Sequence, residues 1–370
     1  MAVIGFVILL FSLVNGFRLL PFQDTLIETQ VVVQENILDD WDWYSQYALN
    51  IKRNGIFSEN PISTPTSFLY SYFLAFCFFL FGENTLPVYI IQTVLLSLSI
   101  VLIYYAFCDK IKINRLLLLG ALIVFGLVDI NKYYTFRCLS ENLTIFLLAA
   151  FLFCFIKGME NHKTQYQLMS SLFLALACIT RPNIWVFAIV AIIIYAFYVK
   201  NGRNVLLYIT VFIAITSIQP LTNYFISGSF HYYPTDMISF DDNGYLSAAL
   251  SFRFTFRNVL SGLGFMSFTN PVFLWRPHWT LMWLAYFVGI IYKIKGKQKL
   301  KLWEIISHSM IASYYIVIIL VVNPDIGNYG FRFYLPVLLV VLSIAFVNAT
   351  NLIIDKNKKL NDFLHKKTNE

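Results

Sequence analysis

The sequence predicts an all-α protein built from many membrane-spanning helices. Of its 370 residues, 58% are hydrophobic and only 13% are charged, and the mean hydropathy is +0.67. A soluble domain carries about 25% charged residues. Apolar segments recur along the whole chain, several with the roughly 17–25 residues that a transmembrane helix needs. These observations exclude a soluble globular protein and predict a polytopic helical membrane protein.

The first apolar segment covers residues 2–17 (AVIGFVILLFSLVNGF). No basic residue precedes it and no small-residue cleavage site follows, so we expect a retained helix and not a signal peptide. The later apolar segments are 66–82, 87–108, 116–130, 141–157, 166–181, 183–199, 205–226, 278–293, 303–323 and 333–354.

The charged loops predict the topology. Lysine-rich loops mark the cytoplasmic side of a membrane protein, and such loops here are 109–115, 157–166, 200–204, 293–302 and the tail from Asp355. If every segment crossed, the loop 109–115 would share a side with the acidic stretch 35–58. A re-entrant or interfacial helix at 66–82 removes this conflict. The prediction is then about ten spanning helices with both termini inside.

Under this topology the outer side differs from the inner side in its charged residues. The inside carries 17 Lys and Arg against 6 Asp and Glu, and the outside carries 10 against 14, with Arg making up eight of the ten. Arginine suits bidentate recognition of phosphate, so an anionic ligand on the outer face fits this bias. The net charge of +7 comes from loops and the tail, with no soluble basic domain, so we expect no nucleic-acid partner.

The chain is predicted to be one integral-membrane domain, 1–370, with two long outer regions. The first is 18–86, which contains the acidic stretch and the non-crossing helix, and the second is 227–276, which is rich in aromatic residues and arginine. Loops of this length usually have a function.

Three carboxylates, Asp39, Asp40 and Asp42, lie among aromatic residues in the stretch 35–58. Carboxylates at a membrane surface can act as general bases on a hydroxyl, and the pair Asp40 and Asp42 could also hold a cation. The alternative is a solvated acidic loop or a helix cap, because Asp is favoured ahead of a helix.

The aromatic residues around these carboxylates favour a functional role. Trp41, Trp43, Tyr44 and Tyr47 offer surfaces on which sugars stack. Tyr44, Tyr47, Ala48 and Ile51 fall at helical spacing, which predicts a helix lying along the membrane surface.

Charged residues at predicted outer helix ends are further candidates, because an ionisable group at membrane depth is costly. The cations are Lys132, Arg137, Arg181, Arg276 and Arg332, and the carboxylate is Glu141. A cation here could stabilise a phosphate leaving group. Snorkelling to lipid headgroups is the alternative for Arg181 and Arg332. For Glu141, a second active-site carboxylate and a helix N-terminal charge both remain open.

Other polar groups give no motif. The five cysteines have no metal-ligand or disulfide spacing, and we interpret them as small core residues. Three of the five histidines, His231, His278 and His308, lie far apart, and Asp241-Asp242 precedes an Asn-Gly turn signal. We therefore predict no required cofactor and no metal site, although a divalent cation at Asp40 and Asp42 stays open.

Several short motifs together resemble the C-type membrane glycosyltransferases, and most closely the protein mannosyltransferase and aminoarabinose transferase group. The resemblance covers most of the chain in order, although each motif alone is weak. The residues that carry it are Asp40, Tyr44, Ala48, Asn50, Gly55, Phe57 and Ser58, then Pro65, Tyr70 and Phe81-Gly82, then Ser140-Glu141, Thr180-Arg181-Pro182 and Arg332-Phe333-Tyr334-Leu335-Pro336.

This resemblance implies a reaction. A sugar carried on a polyprenyl phosphate would be transferred, with inversion, to a hydroxyl of a glycan, lipid or protein acceptor on the outer face. Asp40 would be the general base. The sequence has Asp39-Asp40 where relatives often have Asp-Glu or Asp-Ser, so the choice between these two aspartates stays open, with the spacing to Tyr44 favouring Asp40.

The expected protein is therefore an integral-membrane enzyme of the bacterial inner or plasma membrane, working on cell-surface glycans from the periplasmic or extracellular face. Two alternatives remain. A polysaccharide polymerase would use diphosphate-linked repeat units, and a flippase or transporter would move a lipid-linked sugar without breaking a bond. Transporters usually carry charges in mid-helix and paired halves, and neither is visible in this sequence.

Overall fold

The structure is a computed structural model that describes residues 2–19, 40–58, 67–111, 114–131, 135, 138–228, 230, 263, 277–321 and 334–368. Within these ranges the regular structure is helical, which confirms the predicted all-α membrane fold. The α-helices are α1 (Ala2–Leu19), α2 (Asp40–Asn54), α3 (Phe68–Phe81), α4 (Thr85–Phe107), α5 (Leu116–Phe125), α6 (Glu141–Glu160), α7 (Thr164–Thr180), α8 (Trp185–Tyr198), α9 (Gly202–Thr216), α10 (Ile218–Ser227), α11 (Pro277–Lys295), α12 (Leu302–Val321) and α13 (Leu335–Thr368).

Five helical stretches in the described part of the chain are long and apolar enough to cross a membrane: Thr85–Lys110, Glu141–Glu160, Gly202–Ser227, Leu302–Ile319 and Leu335–Ile354. Shorter apolar helices accompany them. One of these is α3, which has 14 residues and is about 21 Å long at 1.5 Å per residue. A hydrocarbon core is about 30 Å thick, so this length suits the non-crossing helix predicted at 66–82. The total of ten spans stays a prediction.

Two predicted segments are interrupted for local reasons. The segment 205–226 is divided into α9 and α10 at Ser217, where Pro220 has no N–H with which to bond the Thr216 carbonyl. The segment 116–130 changes from α5 to a π-helix, Gly126–Asn131. A Cβ on Gly126 would lie 2.6 Å from the end of the Ile100 side chain, so the glycine allows a close approach of these two helices.

The centre of the bundle is α6, which packs against α7, α4 and α13. Nearly all of its side chains are buried. Small residues such as Ala149, Ala150 and Gly158 allow close approach, as is common between membrane helices. A Cβ on Gly158 would lie 2.9 Å from the backbone nitrogen of Gln167 in α7. The position of α6 matters for function because its first residue is Glu141.

The lysine-rich loops lie together at one end of the bundle. Asn351 of α13 donates to the Lys110 carbonyl there at 3.4 Å. Ion pairs also occur at this end: Lys110–Glu160, Lys157–Asp109 at 2.9 Å and Lys293–Glu304. This agrees with the loop-charge argument, which assigned these loops to one side. The five cysteines are buried and none forms a disulfide, as predicted for core residues.

Candidate active site

A buried ion pair lies at the opposite end of α6. Arg181 Nη2 donates to Glu141 Oε1 at 2.6 Å, and Arg181 Nε donates to Ser140 Oγ at 3.1 Å. Glu141 is 0% exposed and Arg181 is 7% exposed. The two residues are 40 positions apart in the sequence, so the pair joins the start of α6 to the end of α7.

Local sequence explains why Arg181 faces α6. The residue before a proline is disfavoured in the α conformation, and Arg181, which precedes Pro182, is extended with φ −142° and ψ 121°. This ends α7. Pro182 then opens the short 3-10 turn Pro182–Ile184, where its missing N–H has no cost. Glu141 is the first residue of α6, a position at which a negative charge is favourable.

The electrostatics of the pair keep the arginine charged. Burial alone would lower the pKa of the Arg181 guanidinium, but the adjacent Glu141 carboxylate outweighs it and the pKa is raised. Removing one member of such a pair leaves a buried charge without compensation, which costs about 3–5 kcal/mol. The charges of Glu141 and Arg181 therefore compensate each other, and each side chain depends on the other to stay buried.

Three tyrosines surround this pair. The Tyr314 hydroxyl, from α12, lies beside the Arg181 guanidinium and the side chain of Asn183. Tyr44 of α2 also lies near Arg181. Tyr70 of α3 lies near Glu141 and meets Tyr44 edge-on, with ring centroids 5.4 Å apart. Side chains from α2, α3, α6, α12 and the α7–α8 link therefore meet in one place.

Hydrogen bonds connect these groups to their surroundings. Ser67 Oγ donates to Tyr44 Oη at 3.2 Å, and Tyr70 Oη donates to Gln92 Oε1 at 3.2 Å. Gln92 Nε2 in turn donates to the Thr135 carbonyl at 3.2 Å. The Asn142 amide, next to Glu141, donates to Thr135 Oγ1 at 3.3 Å. This network fixes α3 and α4 against the start of α6.

Helix α2 brings the acidic stretch to this site. It begins at Asp40, so Asp40 precedes Tyr44 by about one helical turn. The helical face predicted from spacing is confirmed, since Tyr44, Tyr47, Ala48 and Ile51 are buried. Tyr47 packs edge-on against Tyr72 of α3 at 6.1 Å. This buried face attaches α2 to α3.

The other end of α2 is attached to the end of α3. Arg53 and Lys52 bond the Glu83 carboxylate at 2.9 Å and 3.3 Å. The hydrogen bond from Arg53 lowers the pKa of Glu83. The two helices run parallel, because Tyr44 lies beside Ser67 while Arg53 lies beside Glu83.

Of the predicted site residues, the structure brings together Tyr44, Glu141 and Arg181. Asp40 and Asp42 are placed in α2 by their backbone. The side chains of those two aspartates lie outside the part of the chain that the structure describes. So do five other predicted residues: Asp39, Lys132, Arg137, Arg276 and Arg332. The outer region 227–276 is described only at Ser227, Gly228, Phe230 and Leu263.

Several residues at this site were missed by the sequence reasoning. They are Ser140, Asn142, Asn183, Gln92 and Tyr314. Gln92 lies inside the apolar run of α4, and a polar residue in a membrane helix indicates function or a buried partner. That signal could have found Gln92. Nothing in the local sequence distinguishes Tyr314 from the other tyrosines of the chain.

No group of three or more His, Cys, Asp or Glu side chains that could hold a metal ion occurs among the described residues. The carboxylates of Asp39, Asp40 and Asp42 are not among them.

The site can be compared with known proteins. Residues 64–224 match the family model described as dolichyl-phosphate-mannose-protein mannosyltransferase. The matched segment is somewhat less than half of the chain and includes Glu141, Arg181 and Tyr70. No curated protein and no solved structure matches the chain. The resemblance to C-type glycosyltransferases is confirmed over residues 64–224, and this part of the chain is thus related to the dolichyl-phosphate-mannose-protein mannosyltransferases.

Proposed function

We propose that the protein is a C-type membrane glycosyltransferase that transfers a sugar from a polyprenyl-phosphate-linked donor to a hydroxyl group of an acceptor. The family match over residues 64–224 supports this class of reaction. The helical membrane fold supports a lipid-linked donor. The buried pair of Glu141 and Arg181 supports a site at the end of the bundle away from the lysine-rich loops.

The observation that carries the proposal is the packing of α2 on α3 beside the ion pair. Tyr44 packs edge-on against Tyr70, and these two tyrosines lie near Arg181 and Glu141, respectively. This packing supports a position of the start of α2, which includes Asp40, near the family-matched segment. A solvated acidic loop would not need to be followed by a tyrosine buried against another helix, as Tyr44 is.

In the proposed reaction Asp40 acts as the general base. Its carboxylate takes the proton of the acceptor hydroxyl while that oxygen bonds to the anomeric carbon of the sugar. The bond between the anomeric carbon and the phosphate oxygen breaks, and its electron pair leaves with the polyprenyl phosphate. Asp39 is the second candidate for this role, and Asp42 is proposed to contact the sugar or acceptor.

The leaving phosphate needs positive charge. Arg181 is proposed primarily as a positioning residue, because it is buried and engaged by Glu141 and Ser140. Glu141 fixes the guanidinium. The proposed phosphate ligands are the other outer cations, Lys132, Arg137, Arg276 and Arg332.

Tyr44 is proposed to position α2 and not to stack on a sugar, because its ring is buried against Tyr70. The acceptor is a glycan, lipid or protein on the outer face, and the setting is the inner or plasma membrane of a bacterium. The surplus of arginine on the predicted outer side supports this face.

Donor choice tests the proposal. We expect purified protein in detergent, supplied with polyprenyl-phosphate-linked mannose and membrane extract as acceptor, to release polyprenyl phosphate and form glycosylated product. The matched donor is the same sugar on a polyprenyl diphosphate, which should be a poor substrate. Chromatography of the labelled lipid measures both reactions.

Two results would contradict this function. Turnover of the diphosphate donor alone would favour a polysaccharide polymerase. In liposomes, movement of the intact lipid-linked sugar across the bilayer with no cleavage of either donor would favour a flippase.

A further inference from the structure

The end of the bundle that carries the lysine-rich loops contains a large cavity. Its volume is about 610 Å³, and it lies between the ends of α4, α6 and α11, the start of α12 and the middle of α13. It is separate from the candidate active site, because its lining includes the last turn of α6 whereas Glu141 is the first residue of that helix.

Two of the lining side chains are buried polar groups with unmet hydrogen bonds. Asn348 is 3% exposed, and neither its amide nitrogen nor its oxygen has a partner among the described residues. The indole nitrogen of Trp303, also buried, likewise has none there. Buried polar groups are nearly always hydrogen-bonded, so these two groups indicate a ligand that donates and accepts hydrogen bonds.

Gly289 fixes the position of Asn348. A Cβ on Gly289 would lie 2.4 Å from Asn348 Cβ, so the absence of a side chain there lets α11 approach α13 closely. The Asn348 amide thereby occupies the wall of the cavity between these helices. A buried apolar residue would fill this place without an unmet polar group.

The charged lining favours an anion. Lys299 and Lys301 line the cavity, are exposed, and make no ion pair with the described residues. Lys293 and Lys110 are paired with Glu304 and Glu160. The third lining carboxylate, Asp109, is paired with Lys157, which lies outside the lining. The charges of Lys299 and Lys301 are therefore not balanced by these carboxylates.

We propose that this cavity binds the phosphate group of a membrane lipid headgroup. Basic pockets between membrane helices are typical binding places for anionic headgroups. Lys299 and Lys301 would contact the phosphate, and Asn348 and Trp303 would bond its oxygens or the hydroxyls attached to it. This site is separate from the proposed site of sugar transfer. The proposal does not depend on which side of the membrane this end of the bundle faces.

Thermal unfolding in detergent tests this site with three probes. The first is short-chain phosphatidylglycerol, the second is the matching diacylglycerol without phosphate, and the third is inorganic phosphate. We expect the first to raise the unfolding temperature in a saturable way and the other two to have little effect. In the double variant Lys299→Gln/Lys301→Gln, the concentration for half-maximal effect should rise at least about tenfold, as loss of two charge-assisted contacts implies.

A matched variant controls for total charge. Lys295→Gln/Lys297→Gln removes the same charge from neighbouring residues that do not line the cavity, and it should respond like the wild type. Asn348→Leu should also weaken the response to phosphatidylglycerol, which tests the buried part of the site apart from the surface lysines.

Three outcomes would overturn the proposal. An equal response in both lysine double variants would assign the effect to general surface charge. An equal response to diacylglycerol would assign it to the acyl chains. Stabilisation by inorganic phosphate at the same concentrations would assign the cavity to a soluble phosphate compound and not to a lipid.

Discussion

Replacing Arg181 by alanine is expected to lower the free energy of unfolding by about 3–5 kcal/mol, because it leaves the Glu141 carboxylate buried without its partner. Glu141→Ala should have an effect of similar size. The double variant Glu141→Leu/Arg181→Leu should be less destabilised than either single variant, since no isolated charge remains. Thermal and denaturant unfolding in detergent, followed by tryptophan fluorescence, measures these differences.

The matched control is the exposed ion pair between Arg53, in the last turn of α2, and Glu83. Arg53 contacts Glu83 at 2.9 Å, but its side chain is 60% exposed. Surface pairs contribute about 0–1 kcal/mol, so Arg53→Ala should change stability little. If Arg181→Ala proved no more destabilising than Arg53→Ala, the ion pair would not be the buried unit described above.

Asp40→Asn is expected to reduce sugar transfer by about 10²–10⁴-fold, the usual contribution of a general base. The amide has nearly the same shape as the carboxylate but cannot accept the acceptor's proton. Asp40 is the first residue of α2, and loss of one negative charge in a first helical turn costs only about 0.3–1 kcal/mol, so α2 should still form and the unfolding temperature should change little. Initial rates with labelled donor measure the loss.

Asp39→Asn is the control for this prediction, because it removes one nearby negative charge. It should retain most of the activity. Loss of activity only in Asp39→Asn would transfer the role of base to Asp39. Full activity in both Asp39→Asn and Asp40→Asn would refute a carboxylate base at this place.

The sequence predicted the helical membrane fold, and its loop charges predicted which loops lie at the same end of the bundle. The loops 109–115, 157–166 and 293–302 were assigned to one side from their lysines, and ion pairs such as Lys157–Asp109 hold them at one end of the bundle. The buried face of α2 was also predictable, because Tyr44, Tyr47, Ala48 and Ile51 recur at helical spacing.

The partners within the site were not predictable in the same way. Arg181 and Glu141 were each candidates, yet nothing local indicates that residues 40 positions apart bond to each other. Tyr314 joins them from a helix more than 130 positions further along the chain. The change from α5 to a π-helix at Gly126 was also not predicted.

The stereochemistry of the product tests the central claim of a single displacement with an aspartate base. A donor of one defined anomeric configuration on polyprenyl phosphate is converted by the wild-type protein, and the new glycosidic bond is assigned by nuclear magnetic resonance. We predict inversion at the anomeric carbon, because the acceptor oxygen attacks from the side opposite the leaving phosphate. Retention of configuration would require a glycosyl-enzyme intermediate or another mechanism, and would contradict the role proposed for Asp40.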